Sequence, residues 1–345
     1  MADFEVIFMD AGQGDCTLIV YPDGSLTLVD CGSTKSGAQA LVEIKKVIDR
    51  YFNAKTFLSV VLTHPDEDHY NLLRTLDIER YLDKNVPFDF YYGGDVDLYS
   101  NLKDKDYTWK LLTFLKEHDL ASNPANSTSI EKDGMLSRAG VDVTILASNC
   151  TGDPNGDKNA NSIVLLVEYQ GAKIFLMGDA IAQTENFIIN AFTKAGALHR
   201  LQKQQGEFVV LKVGHHGSET SSTDAWIKLL QPDIIVVSAG TKPFNGTGMP
   251  KETHLNKIIS NTTLTTDTGI TQSYVIYDTA QFPPRFAKRP ATKKGIWTTC
   301  YDVVWHDQPK AYFEAGQSWY FGVELTGKKL IPGHWFGYTG YEDTT

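Results

Sequence analysis

Four apolar runs in this chain stop on residues that are costly to bury. "LTLVDCG" leads into Asp30, "FLSVVLTH" into His64, "KIFLMGDA" into Asp179, and "FVVLKVGHHGS" into His215 and His216. Runs this rich in β-branched residues, set between helical stretches and turn signals, predict buried strands. A carboxylate or imidazole directly after such a strand needs a partner. Any single one is explained by a turn cap. Four together predict an α/β chain whose strand ends converge on one opening, because strand ends in such folds gather side chains along one edge.

The same logic appears in both halves. "FEVIFMD", "CTLIVYP" and "SLTLVDCG" predict three early strands, and a helix follows from about residue 38 to 51. Residues 71–139 read as helical and irregular. "VDVTILAS", "SIVLLVEYQ" and "KIFLMGDA" restart the strands, a helix over about 182–195 follows, and "QSYVIYD" closes the run. Past residue 280 the texture changes. Five basic residues and no acidic one lie between Arg285 and Lys294, and the remainder is rich in Trp, Tyr, Phe and Gly. The expected organisation is a main domain over residues 1–280 and an aromatic-rich extension over 281–345. The extension packs on the main body or completes it with a strand pair.

The formal net charge of -10 argues against a surface that is one large nucleic-acid clamp, though not against a local basic groove. Four scattered cysteines without CxxC spacing fit free thiols in a reducing compartment. With no signal-peptide pattern and no long uncharged apolar run, the expectation is a cytoplasmic protein without membrane insertion.

The densest stretch is "LTHPDEDHYN", where His64, Asp66, Asp68 and His69 fall within six positions. Imidazole nitrogen and carboxylate oxygen at this density suit a divalent cation. An acid-rich helix N-terminus without a metal is the plainer alternative. The order Asp30, HxDxDH (His64 to His69), Gly178-Asp179 and "GHHGS" (Gly214 to Ser218) resembles the metallo-β-lactamase superfamily. "DAGQGDC", "NANSIVLLVEY" and "LKVGHHGS" look most like the soluble hydrolase domain of ComEC-type competence proteins.

The resemblance implies an αβ/βα four-layer sandwich, α/β in class (α+β layered), with one or two divalent ions at the edge between two sheets. It implies metal ligation by His64, Asp66, Asp68, His69, Asp179 and His215, with Asp179 bridging. Neighbours on an extended strand point apart, so one of the pair is expected to ligate, and His215 is preferred to His216. His216 is then expected to meet substrate or donate a proton. Asp68 and Asp30 complete the expected catalytic set, Asp30 by orienting a ligand. Asn161, Ser162, Lys212 and Ser218 are candidate substrate contacts. Asp66 stands where the broader superfamily has His, which shifts the expected metal from Zn toward Mn or Mg. The expected reaction is phosphodiester hydrolysis by a metal-activated water. DNA is the leading substrate, with a small diester (cyclic nucleotide or phosphocholine ester) or a silent metal-binding module as alternatives. Related competence proteins carry a membrane channel, so the resemblance leaves two arrangements open: the chain acting alone, or with a protein partner encoded elsewhere.

Overall fold

The computed structural model describes residues 4–9, 11, 14–33, 38–53, 56, 58–73, 76, 81, 88–99, 111–117, 122–124, 130–239, 249–250, 254, 257–258, 260–261, 295–298, 302–305, 311–314, 320–324 and 329–331. The chain opens with β1 (Glu5–Met9), β2 (Thr17–Val20) and β3 (Leu26–Val29), an antiparallel meander. Helix α1 (Ala38–Tyr51) then leads to β4 (Leu58–Leu62), the short α2 (Glu67–Tyr70) and β5 (Phe88–Tyr92). Helix α3 (Leu111–Glu117) precedes β6 (Ser122–Pro124). From β3 to β6 the pairing is parallel.

The second half repeats this plan. β7 (Asp142–Ala147), β8 (Val164–Tyr169) and β9 (Ala172–Leu176) pair antiparallel. Helix α4 (Ala182–Lys194), β10 (Phe208–Lys212), α5 (Asp224–Leu230) and β11 (Ile234–Val237) follow, with β9, β10 and β11 parallel. The distal chain adds an edge to each sheet. β12 (Gly295–Thr298) pairs parallel with β11, and β15 (Tyr320–Glu324) pairs antiparallel with β1 and with β16 (Lys329–Ile331). β13 (Asp302–Trp305) and β14 (Ala311–Glu314) form a separate two-stranded sheet. The orders are β16-β15-β1-β2-β3-β4-β5-β6 and β12-β11-β10-β9-β8-β7.

Strand alternation sorts the side chains into three cores. On β4, Val60 and Leu62 face α1, where Ile44, Val47 and Ile48 recur at helical spacing; Val61 faces the other sheet. On β10, Val209 and Leu211 face the layer of α4 and α5, with Ile188, Phe192, Trp226 and Leu230, while Val210 points between the sheets. Helix, sheet, sheet and helix therefore stack as four layers, as the motifs implied. The predicted early strands, α1 and the strands of the second half are present. β5 and β6 lie inside the stretch read as helical and irregular, and both extend the first sheet. "QSYVIYD" and the basic run Arg285–Lys294 lie outside the described residues. No helix among the described residues is long and apolar enough to cross a membrane.

Candidate metal centre

The chemistry-bearing residues come from the C-terminal ends of parallel strands in both sheets. Asp30 follows β3, His64 follows β4, Asp179 follows β9 and His216 follows β10. This is where open parallel sheets place ligands. Asp68 and His69 sit on α2, whose backbone lies against Gly32. A Cβ at Gly32 would stand 2.2 Å from the Asp68 carbonyl carbon and 2.4 Å from His69 N. At Gly178, φ is +52° and a Cβ would press to 2.8 Å from the Thr63 side chain. These two positions admit no side chain, and the strand ends close up because of it.

Three imidazoles share one arrangement. Asp30 Oδ2 accepts from Thr63 Oγ1 at 2.7 Å and lies 2.8 Å from His69 Nδ1, so His69 carries its proton on Nδ1. Thr63 has then spent its hydroxyl hydrogen on Asp30. It accepts from His64 Nδ1 at 3.1 Å. His216 Nδ1 donates to the Ser238 carbonyl at 2.8 Å. Each ring is thus held by its Nδ1, with Nε2 turned into the cluster, the orientation a partner on the far nitrogen imposes on ligating histidines. The three Nε2 atoms and Asp179 Oδ1 are buried without a hydrogen-bond partner. Convergent orphaned groups of this kind call for an explanation, and a cation between them is one.

Their spacing fits a cation. His69 Nε2 is 3.2 Å from Asp179 Oδ1, and His216 Nε2 is 3.3 Å from Asp68 Oδ2 and 3.4 Å from Asp179 Oδ2. Donors about 2.1 Å from one ion in a tetrahedron stand about 3.4 Å apart. The second pole is wider. His64 Nε2 is 3.6 Å from Asp66 Oδ2 and 3.9 Å from Asp179 Oδ2. Two groups of ligand atoms lie within metal-binding reach, His64/His69/Asp179 and Asp68/His69/His216. A third, Asp15/Asp30/His69, uses the Nδ1 side already committed to Asp30 and supports the ring instead.

The carboxylates and imidazoles set one another's charge. Burial works against charged His69, but Asp179 and Asp30 outweigh it and hold the ring well above its ordinary pKa. Burial opposes charge on His216 too, yet Asp179 and Asp68 raise it to about 9. Burial favours neutral Asp179, and His216, His69 and His64 override that and hold it well below the carboxylate range. Asp68 is lowered in the same way, against burial, chiefly by His216. Asp66 is lowered, again against burial, by His64 and Lys158.

The structure places several of the expected site residues differently. His216, not His215, turns its ring into the cluster. The extended backbone assumed for this pair is absent: both residues have positive φ, 46° and 52°, in a single turn after Gly214. His215 is half-buried, with Nδ1 2.7 Å from Thr220 Oγ1 and Nε2 3.5 Å from Asn159 Nδ2. Burial, with the neighbouring imidazoles, lowers its pKa. Lys212 does not reach an opening. Its alternation with Val210 sends it between the sheets, where it is 2% exposed and donates to Asp15 and to the Gly178 carbonyl at 3.2 Å. Asn161 is buried and braces a loop, accepting from Thr151 Oγ1 at 2.7 Å and donating to the Asp153 carbonyl at 2.7 Å. Ser162 Oγ accepts from Asp179 N at 3.3 Å, so it positions the carboxylate. Ser218 is buried and engaged by Thr220. Thr63 and Lys158 were not singled out from the sequence. Thr63 had a signal, a hydroxyl next to His64; Lys158 meets Asp66 across 92 residues and had none.

Comparison with known proteins agrees with this picture. Residues 9–79 match the metallo-beta-lactamase superfamily model. ComE operon protein 3 of Bacillus subtilis is 28% identical over 252 residues, 68% of this chain and 28% of that protein. Recombination protein 2 of Haemophilus influenzae is 26% identical over 242 residues, 69% of this chain and 24% of that protein. The chain therefore spans 28% and 24% of the length of these curated relatives. Among solved structures, the metallo-beta-lactamase fold protein YhfI from Bacillus subtilis aligns with TM-score 0.46 and 9% identity, over 92% of this chain and 100% of that one. The resemblance read from the motifs is borne out as a resemblance: part of the chain matches the superfamily model, and the chain is similar to these two curated proteins.

Proposed function

We propose that this metallo-β-lactamase-like chain is a metal-dependent phosphodiester hydrolase, and that its substrate is DNA. The observation that carries the metal reading is the convergence of three buried Nε2 atoms, none with a hydrogen-bond partner, on Asp179. Asp68, His69, Asp179 and His216 would hold the ion. A divalent cation there supplies Lewis acidity toward a phosphoryl oxygen and makes a water a better nucleophile near neutral pH. Asp30 fixes the His69 ring, Thr63 relays that constraint to His64, and Ser162 sets Asp179.

His215 stands beside the cluster with its proton on Nδ1. Thr220 Oγ1 donates to Ser218 Oγ at 3.1 Å and so accepts from His215 Nδ1. His215 Nε2 is then the atom at which this chain takes up a proton and returns it to the leaving oxygen. The DNA assignment draws on the names of the relatives, one of them a recombination protein. A small diester remains the second reading, favoured by the net charge of -10.

The test is a substrate screen with Mn, Mg and Zn. Labelled single- and double-stranded DNA is offered beside small phosphodiesters. Cleavage of DNA that disappears in Asp68→Ala supports the proposal. Turnover confined to small diesters sinks the DNA assignment, and no turnover with any metal sinks the enzyme reading.

A further inference from the structure

Lys158 stands on the wider pole of the centre. Its Nζ is 3.0 Å from Asp66 Oδ1 and donates to the Pro65 carbonyl at 3.2 Å. The other Asp66 oxygen faces His64 Nε2 at 3.6 Å. Asp66 is thus shared between an imidazole and an ammonium. In the ligand pattern implied by the motifs, that carboxylate serves a second cation.

The two side chains are partly exposed, 41% for Lys158 and 38% for Asp66, but the backbone that carries the lysine is fixed. The loop carrying Lys158 is tied down on both sides. Asn161 bonds Thr151 and the Asp153 carbonyl, and Asp157 Oδ1 accepts from Ala160 N at 2.9 Å. Asn161 N also reaches the Asp157 and Lys158 carbonyls at 3.0 and 3.1 Å. The ammonium therefore finds Asp66 and Pro65 from a fixed backbone.

Charge and donor chemistry point the same way. Asp66, Asp68 and Asp179 bring three negative charges to the centre, and one divalent ion plus the Lys158 ammonium bring three positive ones. A second divalent ion would add two charges at a pole with one imidazole and spacings of 3.6 and 3.9 Å. Among the described residues, Asp66 belongs to none of the three close groups of ligand atoms. A pole poor in nitrogen and already holding a cation binds a further one weakly.

We infer that Lys158 takes the place of the second cation. The centre holds one divalent ion at Asp68, His69, Asp179 and His216, and the Lys158 ammonium is the positive charge on its other side. Lys158 acts through Asp66, as a positioning residue. This rests on the metal reading above.

Metal stoichiometry separates the two. Metal-free protein is titrated calorimetrically with Mn or Zn, and bound ion is counted after desalting. The wild-type chain is expected to hold one ion, Lys158→Arg one, and Lys158→Met two, the second binding at least tenfold tighter than any second ion in wild type. Two ions of similar affinity in wild type overturn the inference and leave the metal reading standing. A single ion in folded Lys158→Met also overturns it, because the lysine is then not what excludes the second. No ion in any form removes both. Should Lys158→Met fail to fold by circular dichroism, Asp66→Asn decides. It is expected to keep one ion, and losing that ion overturns the inference.

Discussion

Asp30 controls two imidazoles with one carboxylate. It takes the Thr63 amide at 2.7 Å, the Thr63 hydroxyl and the His69 ring, in a left-handed backbone conformation with φ of 57°. Removing it frees His69 to flip and frees Thr63 to turn its hydrogen toward His64. Asp30→Ala is therefore expected to weaken metal affinity about 10–100-fold, measured by competition with a chromogenic chelator. The His pair gives a second test. His216→Ala should abolish binding at the tight pole, whereas His215→Ala should leave affinity within about twofold of wild type and depress turnover. Proton linkage gives a third. In the metal-free protein, burial opposes but Asp179 and Asp68 raise His216 to about 9, from an ordinary value of 6.5. The raised value stabilises the metal-free fold fully below about pH 6.5, and that contribution is lost as pH rises through about 9. A ligating nitrogen must shed the proton, so metal uptake at pH 7 should release protons, and apparent affinity should climb until about pH 9. Calorimetry in buffers of different ionisation enthalpy measures this. At this scale the sequence was informative where a charged residue directly followed an apolar strand, as at Asp30, His64 and Asp179. It was uninformative for the His215/His216 choice. That depends on the left-handed turn His215 and His216 make after Gly214, a glycine whose added Cβ would meet the Ala180 carbonyl oxygen at 2.2 Å.

Elements bring these residues into register through a few close approaches. Helix α2 rests on Gly32, so Gly32→Ala would push the Asp68–His69 backbone off its seat. The expected result is a loss of metal affinity of tenfold or more with the secondary structure retained. Paired metal titration and circular dichroism read this. Glu185, in the first turn of α4, accepts from Ser222 N at 2.5 Å and Thr223 N at 2.9 Å. It ties the turn carrying His216 to the helix that follows Asp179. Glu185→Ala leaves two amides unpaired, at a cost of about 1–3 kcal/mol, seen as a lower urea midpoint. Periodicity made most elements legible, because their apolar runs alternate cleanly. β5 escaped because Asp89 interrupts "FDFYY", and β6 because three residues, Ser122–Pro124, carry no pattern.

Two sheets meet through a largely apolar middle layer that a buried lysine–carboxylate pair crosses. Lys212 leaves β10 in the second sheet and meets Asp15, which precedes β2 in the first. Lys212→Met would strand the Asp15 charge in that layer and should cost about 3–5 kcal/mol, with much of the loss recovered in Lys212→Met/Asp15→Leu. Denaturant melts of the single and double variants settle it. The sequence suggested both sheets but offered no signal for this pair, since 197 residues separate its members. The metal ligands straddle the same seam, Asp68 and His69 on one side, Asp179 and His216 on the other. An ion held there is a cross-link between two half-molecules, with a strength set by its free concentration. At a hundred times its dissociation constant it would add about 2.7 kcal/mol to the grip of one sheet on the other. Scarcity of that ion would therefore silence the chemistry and slacken the sandwich in the same step.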